Sequence, residues 1–134
     1  MNELKIGQTA ERELVVAPEH LACRVGSGSV EVLATPMVAA LMEGAASDLA
    51  QSGLADSDTT VGTQLSLEHL CPTTEGVRVK AVAELTEIDG RVLRFALQAF
   101  DNAGLIVRGT HERFCVNRER FAQKAAQRKE QEGV

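Results

Sequence analysis

Three residues occupy positions from which they could do chemistry: Thr35, Glu43 and His69. Glu43 lies in the run Ala39-Ala40-Leu41-Met42-Glu43-Gly44-Ala45-Ala46, where its neighbours are apolar or tiny. A carboxylate so placed is partly desolvated or faces a cavity; desolvation makes a carboxylate a stronger base, and small neighbours let a ligand approach. The plainer alternative is a solvent-facing helix stripe of Ala39, Ala40, Glu43 and Ser47, and the pattern leaves both open. His69 alternates in step with Val61, Leu65 and Leu67, so strand parity turns it toward the apolar side. A neutral imidazole there can take a proton near pH 7 or orient a water, although a core histidine satisfied by hydrogen bonds has the same parity. Thr35, just before Pro36, has a structural task as a helix N-cap. It also has a second possibility, because backbone N–H groups at a helix N-terminus stabilise charge developing on a carbonyl oxygen. His20 and His111 show no comparable placement. His69 and Cys71 form only an H-x-C pair, too few ligands for a metal, so no metal site is expected.

The elements that must position these residues can be read in order. Glu13-Leu14-Val15-Val16-Ala17, ended by Pro18, suggests a first strand. Cys23 to Ser29 is rich in Gly and Ser and reads as a loop or lid. Thr35 as N-cap, Pro36 at the first helical position and Gly53 beyond the end delimit a helix, with Val38, Leu41, Met42, Ala45, Ala46 and Leu49 on one buried face. Within it Thr35 and Glu43 are eight residues apart, roughly 12 Å along the axis, so they cannot bond directly. A shared site needs a substrate or water between them, or two subunits.

Beyond Asp56-Ser57-Asp58 the period changes to two, with Val61, Thr63, Leu65, Leu67, His69 and Cys71 expected on one side. Further strands follow over 77–88, 92–100 and 105–116, divided by turn signals at Asp89-Gly90 and at Asp101 to Gly104. The expectation is one helix followed by four meandering antiparallel strands. Residues 118–132, capped by Asn117 and docked only by Phe121 and a few Ala, read as a charged terminal helix or solvated tail.

Composition narrows the classes. The 134 residues suit a single domain, residues 1–134. Four Phe are the only aromatics, which argues against base-stacking single-strand binders, and 19 acidic against 14 basic residues leave no overall field for phosphate backbones. No nucleic-acid partner is expected. No apolar run approaches a membrane span and the polar start is unlike a signal peptide, so a soluble, cytoplasmic protein is expected. Cys23, Cys71 and Cys115 are odd in number and widely spaced, which points to reduced thiols.

A central helix followed by an antiparallel sheet, with almost no aromatics, resembles the hotdog fold, an α+β arrangement in which a curved sheet wraps one long helix. Three motifs narrow the resemblance: Ala34-Thr35-Pro36-Met37-Val38-Ala39-Ala40-Leu41-Met42-Glu43; Val61-Gly62-Thr63 leading to His69; and Gly109-Thr110-His111-Glu112-Arg113. In order and spacing, from about Gly7 to Phe121, they resemble the fluoroacetyl-CoA thioesterase family. That resemblance implies hydrolysis of a short acyl-CoA to acid and free CoA, in a homodimer with sites between subunits. It implies Thr35, Glu43 and His69 as catalytic residues, Gly62 as a glycine whose backbone approaches the thioester, and Arg113 as a contact for the CoA side. It implies no cofactor, coenzyme A being part of the substrate. The fluoroacetyl enzyme carries an aromatic lid residue upstream of its catalytic Thr, whereas Gly26 to Leu33 contains no Phe; the departure points to general short-chain specificity. The competing readings are a hotdog hydratase or dehydratase, whose GHFPxxP-like or D-x-N-x-x-H motifs are missing here, and a noncatalytic acyl-CoA-binding module.

Overall fold

The computed structural model describes residues 3–131, so Glu132, the last residue of the expected terminal helix, lies outside them. Strand β1 spans Thr9–Val15, earlier than the apolar run suggests, because Val16 leaves the strand to enter the core. A 3-10 turn (Pro18–His20) and a one-turn helix α1 (Ala22–Val25) follow, and α1 stops at Gly26, whose left-handed φ of 89° suits glycine. The long helix α2 (Thr35–Gln51) buries Val38, Met42, Ala45, Ala46, Leu49 and Ala50. This is the face expected from the 3.6-residue period, with Leu41 at its margin. Full burial of Val38 or Met42 stabilises the fold by about 1.5–3 kcal/mol each.

Strands β2 (Asp58–His69), β3 (Arg78–Asp89), β4 (Val92–Asp101) and β5 (Gly104–Asn117) complete one antiparallel sheet in the order β1-β3-β4-β5-β2. The four strands after α2 therefore do not form one meander. β3, β4 and β5 do, because the two-residue connections at 90–91 and 102–103 allow only hairpins. The eight-residue link 70–77, containing Pro72, instead carries the chain across, and β2 pairs with β5 at the far edge from β1. This crossing lets both halves of the sheet reach the helix.

The layers are thin because the contact residues are small. Ala45, Ala46 and Ala50 of α2 meet a sheet face carrying Val79, Ala81 and Ala83 on β3 and Ala99 on β4, with Phe95 the one large ring among the fully buried side chains. Outside this layer, Arg12 of β1 lies across Gly44 and binds Asp48 through two hydrogen bonds of 2.7 and 2.8 Å, tying the edge strand to the helix. Helix α3 (Arg118–Lys129) starts where the Asn117 side chain accepts a hydrogen bond from the Arg120 N–H, as expected of that cap, and no residue of α3 is buried.

Candidate active site

Thr35 is the first residue of α2 rather than its cap. Ala34 holds the N-cap position with an extended backbone and offers no side-chain hydrogen bond. The Thr35 hydroxyl is thereby left for another partner, and it lies 2.7 Å from Nδ1 of His69. His69 reaches it from the last residue of β2, where the strand meets the start of the helix. Its Nε2 is buried and has no hydrogen-bond partner. Burial holds the imidazole below the usual histidine range, with the Cys71 backbone working weakly the other way, so His69 is neutral at pH 7. With its proton on Nε2, Nδ1 accepts the Thr35 O–H, the arrangement in which a base activates a hydroxyl.

Parity on β2 needs correction. Gly62 pairs with Arg113 and Gln64 with Glu112, so Thr63 is an extra residue, a bulge. Through it the inward face changes register. Thr60 and Gly62 share the helix-facing side with Leu65, Leu67 and His69, while Val61 and Thr63 do not. His69 keeps its expected inward direction because it lies beyond the bulge.

The bulge brings Gly62 against the second cluster. Glu43, two turns along α2 from Thr35, is neither fully buried nor on an open stripe; its side chain is 39% exposed. Its Oε2 lies 3.7 Å from Nε2 of His111 and 4.0 Å from Nη1 of Arg113. A Cβ on residue 62 would come within 3.0 Å of the same oxygen, so only glycine leaves this space open without displacing a neighbour.

Arg113 is buried. Its Nε donates to the Thr60 hydroxyl (2.8 Å), its Nη2 to the Thr60 carbonyl (3.0 Å) and its Nη1 to His111 Nε2 (3.1 Å). The guanidinium is thus held by protein groups on three sides, with one edge toward Glu43.

His111 is the residue the sequence reading passed over. It is fully buried and its Nδ1 lies 2.7 Å from the Gln64 carbonyl, which can only accept, so Nδ1 carries the proton and Nε2 receives from Arg113. Burial lowers its proton affinity most, the Gln64 carbonyl opposes this, Arg113 lowers it further and Glu43 partly restores it. The neutral ring is a fixed wedge between the sheet and Glu43. Alternation in the last strand held the signal: Val107, Gly109, His111, Arg113 and Cys115 share one face, and Val107 is plainly core. His20 has a local task, its Nδ1 accepting the Ala17 N–H at 2.9 Å.

Two polar clusters thus face the same helix: a hydroxyl–imidazole pair at its N-terminus, and a carboxylate backed by a neutral imidazole and a guanidinium two turns later. A five-stranded antiparallel sheet wrapped on one long helix places the chain among the hotdog-fold thioesterases. A mutant of the fluoroacetyl-CoA-specific thioesterase FlK superposes with a TM-score of 0.89 at 28% identity, over 96% of this chain and 99% of that one. A Thermus thermophilus protein described as a thioesterase superfamily member gives 0.89 at 26% identity, covering 97% and 96%. The fluoroacetyl-CoA thioesterase of Streptantibioticus cattleyicolor is 29% identical over 131 residues, 93% of this chain and 94% of its own length. The family model described as fluoroacetyl-CoA-specific thioesterase matches residues 16–119, and the chain belongs to that family of acyl-CoA thioesterases.

Proposed function

We infer that this chain hydrolyses short-chain acyl-CoA thioesters to the free acid and CoA, working as one domain in a cytoplasmic homodimer. The observation that carries this reading is the 2.7 Å contact between Thr35 Oγ1 and a half-buried, neutral His69 at the start of α2. There the helix N-terminus supports negative charge on a thioester carbonyl oxygen, while His69 takes a proton from Thr35 or from a water. Glu43 is the second catalytic group, poised by His111 and Arg113. Gly62 leaves room for the thioester and lets the backbone approach it. Arg113 contributes to substrate binding from beneath, through the edge it turns to Glu43.

The chemistry is hydrolysis by side chains and water, so it calls for no cofactor beyond the CoA carried by the substrate. Because Thr35 and Glu43 are roughly 12 Å apart along one helix, the reading places each site between two copies, with Thr35 and His69 of one facing Glu43 of the other. The free edge of β2, exposed from Gly62 to Ser66, supports pairing of two sheets.

Thiol release measured across a panel of acyl-CoA thioesters tests the activity, and light scattering of the same sample tests the assembly. Turnover by a dimer is expected. Binding without thiol release would mark a noncatalytic acyl-CoA-binding module, and an active monomer would sink the shared site.

A further inference from the structure

The link 70–77 leaves His69 without regular structure, and all of it but Thr73 is exposed or partly exposed. Thr73 is 2% exposed, a polar residue buried in the middle of an open loop. Its hydroxyl donates to Oδ2 of Asp101 at 2.8 Å, and its carbonyl accepts the Leu33 N–H at 2.8 Å. Pairing is what burial demands of such groups, but these partners belong to two distant segments. Asp101 is the last residue of β4, and its Oδ1 accepts the Ala103 N–H at 2.8 Å. One half-buried carboxylate thus holds both the β4–β5 turn and the link. Leu33 is 1% exposed and stands two residues before Thr35.

The link therefore connects the two halves of the hydroxyl–imidazole pair. Directly after His69, the Leu70 and Cys71 N–H groups both donate to the Ile106 carbonyl, at 2.7 and 3.3 Å, which fastens this end to β5. At Thr73 the segment leaving His69 is bonded to the segment entering α2. Among the described residues, no carboxylate comes within 4.0 Å of the His69 ring nitrogens, and the neighbouring Glu68 is turned to Arg108 on the other face. The ring has no acidic side chain to orient it, so its direction depends on where the backbone on either side is held. Loop backbone is mobile by default, and a 2.7 Å contact between residues 34 positions apart needs it fixed.

We propose that Thr73 and Asp101 are positioning residues for the Thr35–His69 pair, holding the imidazole against the hydroxyl through the hydrogen bonds that run from Leu33 to Thr73 to Asp101. Thr73, being buried, does so without touching substrate. The proposal rests on the thioesterase reading of that pair and adds to it what keeps the pair in register.

Three substitutions test it with acetyl-CoA as substrate. Thr73→Val keeps the shape and removes the hydroxyl, Thr73→Ser keeps the hydroxyl, and Asp101→Ala removes the acceptor. Thr73→Val and Asp101→Ala are each expected to lower kcat about tenfold with KM within about twofold, as a shift of a few tenths of an ångström at a reacting group does. The double variant should lose no more than the worse single one, because both act through one bond. Thr73→Ser should stay within about twofold of the parent, since its hydroxyl still reaches the carboxylate. A hydroxyl that only stabilises the loop would lower the melting temperature and leave kcat unchanged in the folded variants, which would overturn the proposal. Losses that multiply in the double variant would overturn it too. Should Thr73→Val not fold, Asp101→Ala, at a half-buried turn, carries the same comparison.

Histidine ring NMR supplies a readout independent of turnover, with the His69 signals assigned through His69→Ala. The parent is expected to show one tautomer, with its proton on Nε2, and a titration midpoint below the usual histidine range. In Thr73→Val and Asp101→Ala the tautomers should mix and the midpoint rise toward about 6.5 as the ring gains water. That change in a protein that hydrolyses no thioester would sustain the positioning role while the catalytic reading alone fails. The same tautomer and midpoint in parent and both variants overturn the proposal.

Discussion

Replacing Gly62 by Ala adds one methyl group where the site is tightest. The new Cβ would stand 3.0 Å from Glu43 Oε2, 3.2 Å from His111 Cε1 and 3.4 Å from Arg113 Nη1. His111 and Arg113 are pinned by hydrogen bonds to Gln64 and Thr60, whereas the Glu43 carboxylate is partly exposed and hydrogen-bonded to neither. The carboxylate is therefore the group that moves, by a few tenths of an ångström. Stability changes little, because Gly62 has no left-handed φ. The entropy that Ala removes from the unfolded chain, about 0.4–1 kcal/mol, offsets the crowding. The melting temperature is expected to stay within about 4 °C of the parent.

Activity is affected differently. A 1 Å misplacement of a reacting group costs on the order of a hundredfold, so a shift of a few tenths, with a methyl filling part of the substrate's space, should lower kcat/KM by about tenfold or more. That corresponds to about 1.4 kcal/mol of barrier. The assay is thiol release at saturating and subsaturating acyl-CoA, with the melting temperature taken on the same sample. Repeating it in a Glu43→Gln background asks whether the methyl acts through the carboxylate, since effects on one shared element are not additive. Gly62→Ala turning over within twofold of the parent, or losing as much in the Glu43→Gln background, would refute the reasoning.

Glu43→Gln itself should keep the fold and lower turnover by orders of magnitude; a loss of only a few-fold, read in the same assay, would remove Glu43 from the chemistry. Since burial lowers the proton affinity of His69, kcat/KM should hold as pH falls toward 6.5 and decline only below it, as the ring charges and ceases to accept a proton. His69→Ala should abolish that acidic limb together with most activity, so a variant keeping the limb would assign it to another group. The lid points to weak selectivity for fluorine. Residues 24–31 are exposed, Val30 by 62%, and supply no aromatic enclosure, while one small group is worth only about 1–3 kcal/mol even in a fitted pocket. The kcat/KM ratio of fluoroacetyl-CoA to acetyl-CoA should be modest, and a ratio of several thousand would contradict this.

The sequence by itself determined the central helix and its inward face, since Val38, Met42, Ala45, Ala46 and Leu49 repeat with the helical period and pack as that period requires. It determined the two hairpins, because a two-residue link between antiparallel strands leaves the chain no other course. It also marked Thr35, Glu43 and His69, each a polar group set among small or apolar neighbours. What only the tertiary structure decided are the properties that depend on a partner far along the chain. β2 lies beside β5 rather than β3, and no local pattern records which strand closes a sheet edge. The bulge at Thr63 exists relative to β5, so alternation read along β2 alone assigns Val61 and Thr63 to the wrong face. Thr35 looks like a cap until His69, 34 residues away, takes its hydroxyl. His111 becomes part of the site only because that bulge turns Gly62 toward it and the helix carries Glu43 over both. Helical period and tight turns are set within a few residues by backbone geometry, whereas pairing, register and side-chain convergence are settled by which distant surfaces can be buried together.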